Sequence, residues 1–305
     1  MSQRTTPPKR SSAEALASAR IAARDLAHIA AESFGLLPSP TPAPAAGSIP
    51  CHIQWGEAPI AACWIGQATT LLRIAGTTIL TDPHFRERSG FKVGKRMVGR
   101  ARATELPGHI HELPDIDIIL LSHAHFDHWD KVSLRKLANE RTTVVVPTRT
   151  RRLVPKGFGK VIELPADKSV ELADITLHAI EPNHWGARWF FDRNRGVNAY
   201  LIEHETRRVL FAGDTAHTHA FDQLNRVDLA ILGIGSSYAP YDKHHATPEQ
   251  AAQMAQRMGA ELLMPIHHST FRAEREPLGE PLERLCAVYD ESRLVCKRIG
   301  ETWFG

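Results

Sequence analysis

Cysteine is scarce in this chain. There are four in 305 residues, Cys51, Cys63, Cys286 and Cys296, and no two form a Cys-x-x-Cys pair. That excludes a disulfide framework and a thiolate zinc knuckle, and predicts reduced core thiols in a cytoplasmic protein. No apolar run approaches the ~18–20 residues needed to span a bilayer, and the opening residues show no secretory h-region. Glycine-rich phosphate cradles and a Gly-x-Ser-x-Gly elbow are also missing, which leaves nucleotide binding and serine-hydrolase chemistry without a carrier. The net charge of +3 is too small to argue for a nucleic-acid partner.

Histidine, by contrast, is abundant: seventeen residues against thirty-four carboxylates. It is the commonest metal-ligating side chain, so clusters of it are worth seeking. Residues 1–11 (MSQRTTPPKRS) are polar and predicted to be disordered. From Ser12 to Leu37, Leu16, Ala19, Ala23, Leu26, Ile29 or Ala30, and Phe34 recur at helical spacing among strong helix formers, which predicts an amphipathic helix. The stretch "PSPTPAPAAGSIP", residues 38–50, reads as a Pro-rich linker. Residues 1–50 therefore form an appendage to a main domain over 51–305. Its helix is expected to pack on that domain or on a second subunit, or to touch a membrane surface.

From His52 onward the chain becomes a series of short β-rich runs: "AACWIG", "TTLLRI", "TTILTD", "DIILLS", "TVVVP", "KVIELP" and "ITLHAIEP". The second half continues with "NAYLIEH", "RRVLFAGD", "DLAILGIG", "ELLMPIH" and "RLVCKRIG". Helical patterns sit at 131–139, 247–259 and 280–291. Hairpins early and βα alternation later fit two β layers flanked by helices better than one parallel sheet.

The densest chemistry lies in "LLSHAHFDHWD", residues 120–130. His123 and His125 are two apart, so in an extended segment both imidazoles face one point. Asp127 and His128 follow as the chain turns into the next helix and point towards a second ion. A zinc ion takes about four ligands, so these residues cannot complete two sites alone. His184, Asp214 and His267 each follow an apolar strand-like run and are candidates for the rest.

This combination resembles the metallo-β-lactamase superfamily, on "SHAHFDHWD", His184, the Asp214 of "GDT", and His267 over residues 52–300. The resemblance implies an α/β (α+β) fold, a four-layer αββα sandwich with an N-terminal helical extension. It also implies that His123, His125 and His184 hold one metal, that Asp127, His128 and His267 hold the other, and that Asp214 bridges. The expected cofactors are two Zn²⁺, with Mn²⁺ or Fe²⁺ as alternatives. "WIGQATTLLRIAGTTILTDPHFRERSG", "PNHWGARWFFDRN" and "HHATPEQAAQMAQRMGAELLMPIHHSTF" narrow the likeness to the N-acyl-phosphatidylethanolamine phospholipase D branch and its bacterial relatives. In that branch a histidine matching His245 works near the substrate phosphoryl group. Phe126 stands where Tyr is common and His268 where Trp is common. A more distant resemblance is to the ascorbate-phosphate lactonase group.

What the resemblance implies is hydrolysis by metal hydroxide, with Asp127 managing the proton and His245 donating to substrate. The favoured substrate is an anionic phosphodiester of phospholipid type. A lactone or other ester on the same metals is the rival enzyme, and a metal-stabilised binding module the rival outside catalysis. Residues 84–103 carry seven Lys or Arg against one Glu and read as either a solvated face or a basic lid. Arg88, Lys95 and Arg96 are its substrate-binding candidates. Trp185, Trp189, Phe190 and Phe191 are candidates for an opposite wall, while His217 and His219 read as surface residues ahead of a metal-supporting role. Peripheral membrane contact and a homo-dimer stay open.

Overall fold

Ser11 and Glu14 open the first helix with a capping box, each side chain accepting the other's backbone N–H. This helix, α1 (Ser12–Phe34), stops at Gly35, whose φ of 76° places it in the left-handed region. The structure is a computed structural model and describes residues 11–39, 41–50, 55–189, 192, 194–205, 207–271 and 276–305. The disorder reading of the first residues, Cys51, and the wall residues Phe190 and Phe191 lie outside them, apart from Ser11.

Strands β1 (Ile60–Gly66), β2 (Thr69–Ile74) and β3 (Thr77–Thr81) form an antiparallel meander. The chain then makes a separate hairpin, β4 (Arg88–Val93) and β5 (Arg96–Ala101). It returns to add β6 (Ile118–Leu120), β7 (Thr143–Val146) and β8 (Lys160–Glu163) in parallel beside β3, with α2 (Lys131–Lys136) between β6 and β7. The second half repeats this plan. Strands β9 (Ser169–Leu172), β10 (Ile175–Ile180), β11 (Ala199–His204) and β12 (Arg207–Phe211) are antiparallel. Next come β13 (Val227–Gly233), α3 (Pro248–Arg257) and β14 (Ala260–Ile266), with β13 and β14 parallel to β12. Helix α4 (Glu280–Cys286) follows, and β15 (Thr302–Phe304) closes the first sheet on β1.

The central strands β1, β2, β6 and β13 are buried along nearly their whole length, which is why they read as continuous apolar runs, while the edge strands β8 and β9 are half exposed. Ala62 and Trp64 of β1, Leu72 and Ile74 of β2, and Leu229 and Ile231 of β13 point into one core between the sheets. Their neighbours face outward: Ala61 and Cys63 pack with Leu134 of α2, and Ala230 and Leu232 with Ala251, Met254 and Ala255 of α3. The αββα layering follows from this alternation. Cys63, Cys286 and Cys296 are free thiols.

Three expectations need correction. The 293–300 run is not a strand: only Leu294 bridges Leu263, and positive φ at Cys296 and Gly300 turns the chain away, so β15 lies further on. The three helices end earlier than their patterns, at Lys136, Arg257 and Cys286. The Pro-rich segment is docked, with Ala43 bridging Thr104 and Ile49 buried. Gly47 lies so close to Gly300 that a Cβ there would meet the Gly300 carbonyl oxygen at 2.3 Å. Helix α1 meets the main domain at the β4–β5 hairpin, one of the expected outcomes, and does so through its polar side. Leu16 and Leu26 are 55% and 65% exposed, while Asp25 is buried, 4.0 Å from Arg100. The helix meets an arginine-rich hairpin, so its acids rather than its leucines find partners.

Candidate metal centre

The candidate residues converge where strands end. Leu121 extends β6 by donating to Val145 O, and Ser122 to Asp130 then form the loop entering α2. Asp214 follows β12 through Gly213, whose φ is 58° and where a Cβ would stand 2.6 Å from Ser122 Cβ. His267 follows β14, and its N–H is fixed by Gln67 O at 3.0 Å. His184 follows β10. Carboxyl ends of strands are the usual place for a site in sheets of this kind.

One group gathers His123, His125, His184 and Asp214; another gathers Asp127, His128 and His267; Asp214, His245 and His267 make a third. Within each, the donor atoms lie within 4.8 Å of one another. His123 Nε2 is 2.8 Å from His125 Nδ1, and His184 Nε2 is 3.4 Å from that same atom. Ligating nitrogens about 2.0–2.1 Å from a tetrahedral ion sit roughly 3.3 Å apart, so the three imidazoles fit one ion. Asp214 occupies the middle: its Oδ2 is 3.1 Å from His128 Nε2 and 3.8 Å from both His123 and His184 Nε2, and its Oδ1 is 3.3 Å from His267 Nε2. His128 Nε2 and Asp214 Oδ1 are buried with no hydrogen-bond partner among the described residues. Orphaned atoms of this kind, aimed inward, are what a cation would satisfy.

Protonation fits a donor set too. Burial pushes His123 and His184 well below their ordinary range, and His125 down to about 4, so their nitrogens are neutral lone-pair donors. Burial opposes charge on His128 and His267, but the Asp214 and Asp127 carboxylates outweigh it and raise both. Burial likewise pushes Asp127 and Asp214 up, and His128 and His267 reverse that, holding both well below the carboxylate range. The two carboxylates draw a proton onto each of His128 and His267, positive charge that a bound cation would supply instead.

Supporting contacts fix the rings. His184 Nδ1 donates to His244 O at 2.8 Å, leaving Nε2 for the cluster. His128 Nδ1 donates to Asp82 Oδ2 at 2.7 Å, and Asp82 also accepts from the Ser122 N–H at 2.7 Å and from its hydroxyl. Gln67 Nε2 lies 2.7 Å from Asp127 Oδ2 and 2.7 Å from His267 Nε2. Asp82 and Gln67 were not among the sequence candidates, although both lie inside quoted motifs. His245 stands at the rim, its ring 5.1 Å from that of His267 and its Nδ1 3.8 Å from Asp214 Oδ2. Burial takes it down to about 3.

The other candidates fall elsewhere. Arg88 donates to Gly99 O and to Ser39, and Arg96 donates to Phe34 O at 2.7 Å, so α1 and its C-terminal extension engage both. Lys95 is exposed at the hairpin turn. None of the three joins the His/Asp cluster. His217 bonds Arg257 and His219 bonds Asp222, away from it. Trp185 packs on His125 with ring centroids 4.9 Å apart.

Residues 77–268 match the profile described as "Beta-lactamase superfamily domain". An uncharacterized protein of Mycobacterium tuberculosis is 30% identical over 264 residues, covering 80% of this chain and 68% of that one. The N-acyl-phosphatidylethanolamine-hydrolyzing phospholipase D 1 of Caenorhabditis elegans is 27% identical over 280 residues, covering 81% and 76%. Among solved structures, an isothiocyanate hydrolase from Delia radicum gut bacteria superposes with a TM-score of 0.63 at 18% identity, covering 80% and 98%. That likeness concerns the fold alone.

Proposed function

The chain belongs to the beta-lactamase superfamily and is a metal-dependent hydrolase, and from that premise we propose that it cleaves a phosphodiester in the phospholipase D manner, on a lipid like N-acyl-phosphatidylethanolamine. The observation that carries this reading is the carboxylate-centred pair of histidine groups, in a chain similar to the nematode phospholipase D along most of its length. His123, His125 and His184 would hold one ion, Asp127, His128 and His267 the other, and Asp214 would face both. Zn²⁺ suits this nitrogen-rich set, with Mn²⁺ and Fe²⁺ as alternatives. When bound, two such ions supply Lewis acidity and lower the pKa of water towards neutrality.

The chain's own side chains do the rest. Asp127 is held by Gln67 Nε2 through one oxygen, Oδ2, which leaves the other free to take the proton of the attacking water and to return it to the departing alkoxide oxygen. His245, neutral at physiological pH because burial takes it down to about 3, donates a hydrogen bond to a non-bridging phosphoryl oxygen rather than serving as a proton source. Trp185 and His244 flank the site beside His184, with the His244 ring 6.1 Å from that of His184 and 5.9 Å from that of Trp185.

Mass spectrometry of products separates this from the ester-hydrolase reading. Zinc-loaded protein mixed with N-acyl-phosphatidylethanolamine should release N-acylethanolamine and phosphatidate, and His125→Ala should release neither. Intact lipid beside an opened lactone or simple ester would replace the phosphodiesterase with an acyl hydrolase.

A further inference from the structure

Beside the His/Asp cluster lies a cleft of about 450 Å³, walled by the β4–β5 hairpin, the start of α2, and Arg188, Trp189, Asp192 and Arg195. None of the seven candidate metal ligands lines it. Among the described residues six cations do: Arg86, Lys92, Lys131, Arg135, Arg188 and Arg195. Two carboxylates of the described residues face them, Asp130 and Asp192, and both are engaged. Asp130 accepts from the N–H groups of Val132 and Ser133 and lies 2.9 Å from Arg86 Nε. Asp192 accepts from the Trp189 N–H at 2.7 Å and pairs with Arg195 Nε at 2.8 Å. Among the described residues, Lys92, Lys131 and Arg135 have no carboxylate partner.

The cleft is built rather than fortuitously charged. Arg188 donates to Ala124 O at 3.2 Å and to Trp129 O at 2.9 Å, and its guanidinium lies 4.1 Å from the Phe126 ring centroid. Phe126, Phe91 and Trp189 pack together, with Trp189 centroids 4.9 Å from Phe126 and 5.4 Å from Phe91. Phe91 and Trp189 remain 40% and 37% exposed, so one side of the cleft is an open aromatic corner. Burial lowers Lys131, and Arg188, Arg135 and Arg195 lower it further by repulsion. Like charges converging on a concave wall raise the local potential and draw an anion. Arginine forks match the oxygens of phosphate, and an aromatic corner accepts an apolar chain.

We propose that this cleft is an anion subsite, separate from the metal centre, that seats the phosphate of a phosphomonoester amphiphile with its chain against Phe91, Phe126 and Trp189. The subsite holds whichever bond the metal centre cuts. Phe126 lies between His125 and Asp127, so an occupant would sit one side chain away from the metal ligands.

Calorimetric titration of zinc-loaded protein with dihexanoyl phosphatidate, inorganic phosphate and hexanoate tests this. Phosphatidate should bind, more weakly at higher salt. Its affinity should fall at least tenfold in Lys131→Gln/Arg135→Gln and in Lys92→Glu, both of which change side chains at the surface, and should persist in His125→Ala. Inorganic phosphate binding as tightly would keep the phosphate site but overturn the apolar half of the proposal. Hexanoate binding as tightly as phosphatidate would overturn the phosphate class. Binding that is lost in His125→Ala but unchanged in the cleft variants, or absent from the wild type, would overturn the subsite. Hydrolysis of N-acyl-phosphatidylethanolamine, followed separately, reports on the metal-centre reading alone.

Discussion

Replacing Asp82 with Asn isolates the contact that sets the tautomer of His128. Asp82 is fully buried, and its oxygens accept from the Ser122 N–H, the Ser122 hydroxyl and His128 Nδ1. Its φ of 34° is one that Asn tolerates, so the variant keeps shape and backbone. Burial raises the Asp82 carboxyl, while the His128 and Ser122 contacts favour its charged form; in that form it only accepts hydrogen bonds. It therefore holds the proton on His128 Nδ1 and turns the Nε2 lone pair towards Asp127 and Asp214. An Asn amide that keeps its oxygen on the Ser122 N–H presents NH₂ to His128 Nδ1. The ring proton must then move to Nε2, the atom needed for a metal. Loss of such a supporting partner weakens metal binding about 10–100-fold, or ~1.4–2.7 kcal/mol. The assay is zinc stoichiometry after dialysis against graded chelator. One ion should leave Asp82→Asn at about one-tenth to one-hundredth of the chelator strength that strips the wild type, while the ion on His123, His125 and His184 stays. If both ions leave at the wild-type midpoint, the tautomer argument is refuted.

Gln67→Ala removes a donor to a charged carboxylate, worth ~1.5–3 kcal/mol. Steady-state kinetics should show kcat lowered about 10–100-fold, with bound metal retained. Gly213→Ala puts a Cβ 2.6 Å from Ser122 Cβ at a φ of 58°, and overpacking of that kind costs ~1–3 kcal/mol, so calorimetry should show a Tm several degrees lower. Glu249 pairs with Arg284, whose hydrogen bonds take it from 4.5 down to about 2. Its folded-state pKa is depressed, so the stability it adds is present above pH 4.5 and is lost as pH falls towards 2. Glu249→Gln should therefore melt below the wild type at pH 6, with the difference shrinking to nothing near pH 2; a constant difference would contradict the linkage.

Much of the centre was legible because its residues are local to strand ends. Each apolar run that stops at His or Asp marks a place where a buried strand meets solvent, and His123, His125, Asp214 and His267 all carry that mark. Asp82 does not. It closes "TTILTD" in the same way, but its partner is 46 residues distant and is met only once β3 lies beside β6, where Asp82 N donates to Leu120 O. The docking face of α1 was not legible for a related reason. Periodicity shows which face is apolar but not what the helix will meet, and here it meets Arg88 and Arg100. The cationic cleft was half visible as the basic run 84–103. Its other walls come from α2 and from the segment around Arg188, and the arginines that looked most available in that run are the ones α1 engages.

In the proposed reaction, water activated between the two histidine groups attacks phosphorus. The most direct test is to run the reaction of zinc-loaded protein with N-acyl-phosphatidylethanolamine in ¹⁸O-water and locate the label by mass spectrometry. In the predicted reaction the P–O bond to N-acylethanolamine breaks and the water oxygen joins phosphorus, so the label appears in phosphatidate and N-acylethanolamine leaves unlabelled. Label in a released carboxylate would contradict that account and assign the same residues to an acyl hydrolase.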